Sequence, residues 1–116
     1  MSESDCLFCK FASGAISVER VHDDELCFAI RDIQPLAPVH LLIVPKQHIA
    51  SANDLSDAHA ALLGCMFSVA KQLATSEGLS ERGYRLVFNT GRDAGQSVFH
   101  LHLHVLGGRN LGASVT

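Results

Sequence analysis

The stretch that decides the fold lies near the C-terminus, where residues 97–106 read SVFHLHLHVL. Side chains alternate between the two faces of a β-strand, so one face carries His100, His102 and His104. Each of these histidines lies about 6.5–7 Å from the next one. The other face carries aliphatic side chains that can pack on a core, namely Leu101, Leu103 and Val105. We therefore predict an amphipathic final strand over Ser97–Leu106 whose polar face is built almost wholly of imidazole.

The chain before this segment predicts four more strands and two helices. The predicted strands are Val18–His22, Leu26–Arg31, Val39–Val44 and Tyr84–Asn89. A short helix is expected around Phe8–Phe11, ended by Gly14, and a long one over Asp57–Glu77, with Ser56 as N-cap and Gly78 beyond its end. An apolar stripe at helical spacing marks the long helix: Ala58, Ala61, Leu62, Cys65, Met66, Val69 and Leu73. Because strands outnumber helices and do not alternate with them, the pattern favours an α+β fold with a mainly antiparallel sheet.

Composition narrows the class of protein. A length of 116 residues suits one domain, residues 1–116, and 47% apolar residues are typical of a globular chain. Nine basic and twelve acidic residues give a net charge of −3. The chain therefore lacks the excess of basic residues expected of a protein that binds a nucleic-acid groove. The longest clean apolar run, Leu41–Val44, falls far short of the roughly 20 residues of a spanning helix. With a polar, acidic N-terminus and no secretory pattern, we expect a cytoplasmic protein without membrane or nucleic-acid partners.

The histidine row has two functional interpretations. It could hold a metal through two or three imidazoles, or one imidazole could be a nucleophile with a neighbour as its acid–base partner, because neutral imidazole is available near neutral pH. The loop before the row favours the second interpretation, since it offers backbone amides and a hydroxyl to an anion through Gly91, Gly95, Gln96 and Ser97. Cys6 and Cys9 form a C-x-x-C pair that suits metal ligands or a redox pair. Cys27 and Cys65 lie in apolar sequence and are expected to be buried thiols.

Several motifs together resemble the histidine triad (HIT) family, and within it the nucleoside phosphoramidase branch. Besides the histidine row, they are NTGRDAGQSVFH at 89–100, RDIQP at 31–35, APVHLLIVPKQHI at 37–49 and GGR at 107–109. The resemblance covers about residues 6–109. The dinucleoside polyphosphate hydrolase branch is less similar, because it usually lacks the Gly-Gly-Arg ending.

The resemblance implies a HIT-like fold and a particular chemistry. It implies a five-stranded, mainly antiparallel sheet with one long helix and a short N-terminal helix. It also implies a homodimer formed through the long helix and a neighbouring strand, and Phe67 and Ala70 widen the apolar arc of that helix accordingly. The implied activity is hydrolysis of purine nucleoside phosphoramidates, or related AMP derivatives, through a covalent nucleotidyl-histidine intermediate. Two alternatives stay open: a non-catalytic nucleotide- or zinc-binding interaction protein, and a dinucleoside polyphosphate hydrolase.

The same resemblance assigns roles to single residues. His102 would be the nucleophile, His104 would bond the phosphate, and His40 would orient His102. Ser97 would carry a proton to the leaving amine, and Gln96 would contact the phosphate and leaving group. The implied nucleotide-binding set is Asp32, Ile33, Asn89, Gly95, Gln96, Ser97, His102 and His104.

The resemblance also implies one structural Zn²⁺ and no catalytic metal. Its ligands would be Cys6, Cys9, His48 and His100, and two thiolates with two imidazoles suit the tetrahedral preference of zinc. Two other histidines, His22 and His59, match no motif and are expected to face solvent.

Overall fold

The computed structural model describes residues 5–113; the outermost residues of the predicted domain, 1–4 and 114–116, lie outside that range. Its helices are α1 (Leu7–Ser13) and α2 (Ala60–Ser76), and its strands are β1 (His22–Asp23), β2 (Cys27–Arg31), β3 (Val39–Pro45), β4 (Tyr84–Val87) and β5 (Leu103–Gly107). The strands form one sheet in the order β1-β2-β3-β5-β4, with every neighbouring pair antiparallel. The predicted α+β class, five-stranded sheet, long helix and short N-terminal helix are therefore confirmed.

The central strand β3 is apolar throughout because both faces of the sheet are covered. Leu41 and Ile43 point into the larger core, which lies under α2. Leu42 and Val44 belong to a second core on the opposite face, where α1 contributes Phe8. By the same alternation, His40 of β3 shares the α1 face with Leu42. The histidine site is consequently built on the face that α1 covers, away from α2.

Helix α2 begins later than its sequence pattern predicts. Ser56 caps a 3₁₀ turn, Asp57–His59, and the α-helix follows from Ala60. The buried residues of α2 are Leu62, Met66, Val69, Ala70 and Ala74. The predicted stripe is thus rotated: Ala58 and Ala61 are exposed, while Cys65 and Leu73 are half-buried. The predicted stop holds, because Gly78 takes a positive φ of 78° directly after the helix.

The final strand is shorter than predicted, since it begins at Leu103 rather than Ser97. Its pairing with β3 ends at Ile43↔Leu103. Two residues further along β3, Pro45 has no N–H to donate, and its carbonyl oxygen bonds the imidazole of His100 instead of a strand. His100 and His102 therefore lie just before the sheet, and only His104 is on a strand.

Two other strand ends also differ from the prediction. The first strand is His22–Asp23 instead of Val18–His22, and β4 ends at Val87 instead of Asn89. Over residues 5–113, no helix has both the length and the apolar character needed to cross a bilayer.

Candidate active site and metal centre

Three imidazoles and one carboxylate lie together on the α1 face of the sheet, those of His40, His102, His104 and Asp32. His40 Nε2 lies 2.9 Å from His104 Nδ1 and 3.5 Å from the Asp32 carboxylate. The backbone N–H of Leu36 donates to His40 Nδ1 at 3.1 Å, so the proton of neutral His40 belongs on Nε2. His40 therefore donates to His104 Nδ1, which leaves the proton of neutral His104 on Nε2.

The orientation of His102 is fixed by the backbone. Its Nδ1 lies 2.7 Å from the carbonyl oxygen of His100, and because a carbonyl only accepts, Nδ1 must carry the proton. The other ring nitrogen, Nε2, is then the unprotonated one. The sequence predicted that His40 would orient His102, and this is corrected: His40 bonds His104, and the His100 carbonyl orients His102.

All three imidazoles are held in the neutral form. Burial lowers the pKa of His102, although the bond to the His100 carbonyl partly opposes this. Burial, followed by the charges on His102 and His40, lowers the pKa of His104 to about 4. Burial also lowers the pKa of His40, with Asp32 acting in the opposite direction. At neutral pH the site therefore offers uncharged nitrogen atoms for attack and for proton transfer.

The glycine-rich loop is shaped by Gln96. Its buried side chain accepts from Gly91 N–H at 2.8 Å and donates to the carbonyls of Ala50 and Val98 at 2.8 and 3.1 Å. Both amide protons are thereby committed to the loop. The Gln96 amide therefore braces the loop, and its predicted contact with the phosphate and leaving group stays a prediction. The exposed Ser97 directly follows it.

The remaining residues of the predicted nucleotide set come from several parts of the chain. Ile33, the neighbour of Asp32, is 95% exposed. Asp32 spends one oxygen on the N–H of Gln34 at 2.9 Å and turns the other towards His40. Asn89 is half-buried just after β4, and Gly95 takes a positive φ of 82° in the loop.

Sequence reasoning missed Phe8, which touches both histidine groups. The edge-to-face contact of Phe8 with His102 has a centroid distance of 5.1 Å, and that with His100 has 5.8 Å. An aromatic between the two cysteines of the C-x-x-C motif was the available signal. Its spacing alone could not show which ring it would meet.

The predicted metal ligands converge as a second cluster. Cys6 Sγ lies 3.2 Å from His100 Nδ1, and Cys9 Sγ lies 3.2 Å from His48 Nδ1. The two Nδ1 atoms are 3.2 Å apart, and all four ligand atoms lie within 4.8 Å of one another. Edges of a tetrahedron with zinc–ligand bonds of about 2.0–2.3 Å are about 3.3–3.8 Å long, so the donor set fits Zn²⁺.

The surroundings of this cluster fit a metal as well. His100 Nε2 donates to the carbonyl of Pro45 at 2.7 Å, which turns the Nδ1 lone pair towards the thiols. Cys6 is the N-cap of α1, and its sulfur accepts the N–H of Cys9. The expectation that His22 and His59 face solvent is wrong in detail: both are half-buried, His22 pairs with Asp24, and His59 accepts the N–H of Ser56.

The comparisons identify the family to which this arrangement of histidines and a glycine-rich loop belongs. The HIT domain family model matches residues 13–111. The purine nucleoside phosphoramidase of Escherichia coli is 46% identical over 108 residues, covering 93% of this chain and 91% of that protein. The chain therefore belongs to the HIT domain family.

Solved structures agree with this assignment. A HIT family hydrolase from Legionella pneumophila is 54% identical with a TM-score of 0.91, covering 93% of this chain and 96% of that one. A zinc-bound histidine triad family protein from Mycobacterium smegmatis is 33% identical with a TM-score of 0.80, covering 94% and 78%. The expected enzyme class, a HIT-family hydrolase, is thus confirmed.

Proposed function

We propose that this protein hydrolyses purine nucleoside phosphoramidates, or related AMP derivatives, through a nucleotidyl intermediate on His102. The observation that carries the proposal is the 2.7 Å bond from His102 Nδ1 to the His100 carbonyl, which leaves the Nε2 of a buried, neutral ring unprotonated. The 46% identity to a purine nucleoside phosphoramidase supports the substrate class.

In the first step, His102 Nε2 attacks the α-phosphorus while the P–N bond breaks. The amine leaves with its bonding electron pair and gains one proton, for which the exposed Ser97 hydroxyl is the proposed route. The modified ring now carries a positive charge, and the His100 carbonyl oxygen stabilises it through the retained Nδ1–H. That charge also makes the imidazole a good leaving group in the next step.

In the second step, water attacks the phosphorus, the P–N bond to His102 breaks, and the nucleoside monophosphate leaves. One proton is released, so the proton consumed in the first step is returned. His104 is a proposed donor to the phosphate throughout, because His40 fills its Nδ1 and leaves Nε2–H available. The Asp32 carboxylate, 3.5 Å from His40 Nε2, favours a proton on that nitrogen and so supports the bond that His40 donates to His104.

The remaining nucleotide contacts are proposals of the same kind. Ile33 packs on the base, Asp32 holds the ribose hydroxyls, and Asn89 holds ribose or phosphate. The loop residues Gly95 and Ser97 lie beside the phosphate, and Ser97 offers its hydroxyl, since the Gly95 N–H already donates to the Arg92 carbonyl at 3.0 Å. The strong exposure of Ile33 supports its role, since an apolar side chain at a site rim gains by covering an aromatic base.

We also propose one structural Zn²⁺ held by Cys6, Cys9, His48 and His100. The ion supplies a crosslink between α1 and the segment that precedes β5, and the hydrolysis requires no catalytic metal. Holding α1 in place keeps Phe8 against the ring of His102.

A cytoplasmic homodimer completes the proposal. On its outer side β4 is an edge of the sheet in the described part of the chain, and an edge strand offers unpaired backbone groups to a second copy. Nearby, Phe67 of α2 is 44% exposed and stacks edge-on against Phe88 at 6.1 Å. Light scattering should give twice the 12.5 kDa chain mass, and a Phe67→Glu variant should shift it towards the monomer. A wild-type monomer at micromolar concentration contradicts this.

The activity test is turnover of a fluorogenic adenosine phosphoramidate by the wild type, by His102→Gln and by His59→Gln. The control removes a half-buried histidine that lies at the start of α2, and glutamine keeps the capping pattern with Ser56. We expect turnover by the wild type and the control but not by His102→Gln. If all three proteins bind nucleotide and none of them turns the substrate over, the protein is a binding protein. A preference for a dinucleoside polyphosphate would favour the other hydrolase branch.

A further inference from the structure

A second group of metal-ligating side chains lies apart from both clusters above, at the β1–β2 turn. His22 precedes the turn, Asp24 is in it, and Cys27 opens β2. Their ligand atoms all lie within 4.8 Å of one another. Cys65, from the middle of α2, brings a fourth donor to the same place. Neither the histidine chemistry nor the first metal site uses any of these residues.

One carboxylate oxygen is the centre of the group. Asp24 Oδ2 lies 2.6 Å from His22 Nε2, 3.7 Å from Cys27 Sγ and 3.7 Å from Cys65 Sγ. The other oxygen, Oδ1, accepts the backbone N–H groups of Leu26 and Cys27, so the carboxylate is fixed by the turn. Three donors from three elements therefore converge on one anionic atom whose position the backbone sets.

The distances suit a tetrahedral ion with little movement. With bonds of about 2.0 Å to oxygen and 2.3 Å to sulfur, an oxygen–sulfur edge is about 3.5 Å long, close to both values at Asp24. The His22–Asp24 separation is shorter, since those groups are hydrogen-bonded to each other, and it must open on binding. The side chains of His22 and Asp24 are 24% and 32% exposed and give a path from solvent, while Cys27 is fully buried beneath them.

Local charge also favours a cation at this point. The two neighbouring basic side chains form salt bridges with Asp23, Lys46 at 2.7 Å and Arg20 at 3.1 Å, so their charge is balanced there rather than by Asp24. We propose that His22, Asp24, Cys27 and Cys65 form a second site for a thiophilic divalent ion of the Zn²⁺ or Cd²⁺ class, which would tie α2 to the β1–β2 turn.

Metal binding at this site should release protons. A metal binds cysteine as the thiolate, so two metal–sulfur bonds displace two thiol protons per ion. The proton that His22 Nε2 donates to the Asp24 carboxylate must also move to Nδ1 or leave before that nitrogen can coordinate. Affinity should therefore rise with pH.

The test adds Cd²⁺ to the zinc-loaded protein and follows total bound metal, released zinc and the ultraviolet thiolate–cadmium band. We expect a second equivalent of metal without zinc release, together with the band. Cys65→Ala and His22→Gln each remove a proposed ligand and should weaken that uptake by at least about 10-fold, the lower end of the range found when even an outer-shell partner of a metal ligand is lost. Leu63→Ala, a matched truncation on α2, should leave it unchanged.

Three results would overturn the proposal. They are no second equivalent, a band that appears only as zinc is displaced from the first site, and uptake that Cys65→Ala does not change. A Cys9→Ser variant separates the sites, because it removes a ligand of the first cluster and should leave uptake at Asp24 in place.

Discussion

Acid should destabilise the fold through the histidine site, and His104 should account for a measurable part of the loss. Its pKa falls from the ordinary value of 6.5 to about 4, mainly because the ring is buried and next because His102 and His40 repel a positive charge. In the unfolded chain the same imidazole binds a proton near its ordinary pKa. Below that pH the unfolded state holds more protons than the folded state, so the free energy of unfolding falls as pH falls.

The size of the effect follows from the difference between the two pKa values. Each pKa unit is worth about 1.4 kcal/mol, so a shift from 6.5 to about 4 corresponds to about 3 kcal/mol when fully developed. By linkage, about 2 kcal/mol should already be lost at about pH 5, and almost nothing above about pH 7.

The assay is urea unfolding followed by circular dichroism at about pH 7.5, 6 and 5, on the wild type, His104→Gln and His59→Gln. Acid also affects the zinc ligands, but equally in each protein, so the difference between wild type and variant is the informative quantity. We expect the stability of the wild type relative to His104→Gln to fall by about 2 kcal/mol between the extremes. The His59→Gln difference should stay flat. A His104→Gln difference that does not change, or that grows in acid, refutes the reasoning.

Three further predictions concern Cys9, Phe8 and Ser97. Cys9→Ser should lower bound zinc and the midpoint of thermal unfolding more than it lowers kcat of the folded fraction; full folding without zinc in the wild type would contradict this. Phe8→Leu should lower kcat more than it raises KM, because the contact of Phe8 with His102 orients the ring rather than binding substrate. A variant that loses stability but keeps both kinetic constants would contradict this. Ser97→Ala should slow turnover by about 10²–10⁴-fold, and less for substrates with good leaving groups; a loss independent of the leaving group would remove it from proton transfer.

Much of the architecture could be predicted from local patterns. The alternation over residues 103–105 predicts which side chains face each side of the sheet. The apolar run of β3 predicts a strand that is covered on both faces. The end of α2 follows from Gly78, whose positive φ other residues avoid. These features depend on the residue and its near neighbours, which is why the sequence shows them.

The errors come from contacts between distant parts of the chain. The alternation of His100 and His102 is typical of a strand, yet this segment leaves the sheet because His100 turns towards Cys6 and bonds the Pro45 carbonyl. The same departure presents the His100 carbonyl to His102. Nothing in the spacing of the histidines distinguishes a paired strand from an extended segment held by side chains.

The assignment of roles within the site was limited in the same way. The sequence shows that His40 belongs to the site through its motif, but not which imidazole it contacts. That depends on the register of β3 and β5, which places His40 opposite Leu106 and Leu42 opposite His104. The contact with His104 is visible only once that pairing is known.

The proposed mechanism depends most on His102 as the nucleophile, and rapid chemical quench with a radiolabelled adenosine phosphoramidate tests this directly. The wild type should yield a nucleotidyl-protein adduct that is labile to acid, as a phosphoramidate is, and that maps to His102. His102→Gln should form no adduct and lose turnover by roughly 10⁴–10⁶-fold, the range seen when covalent nucleophiles are removed. If the variant still forms the adduct, or turns over at a near wild-type rate, His102 is not the nucleophile and the proposed mechanism is wrong.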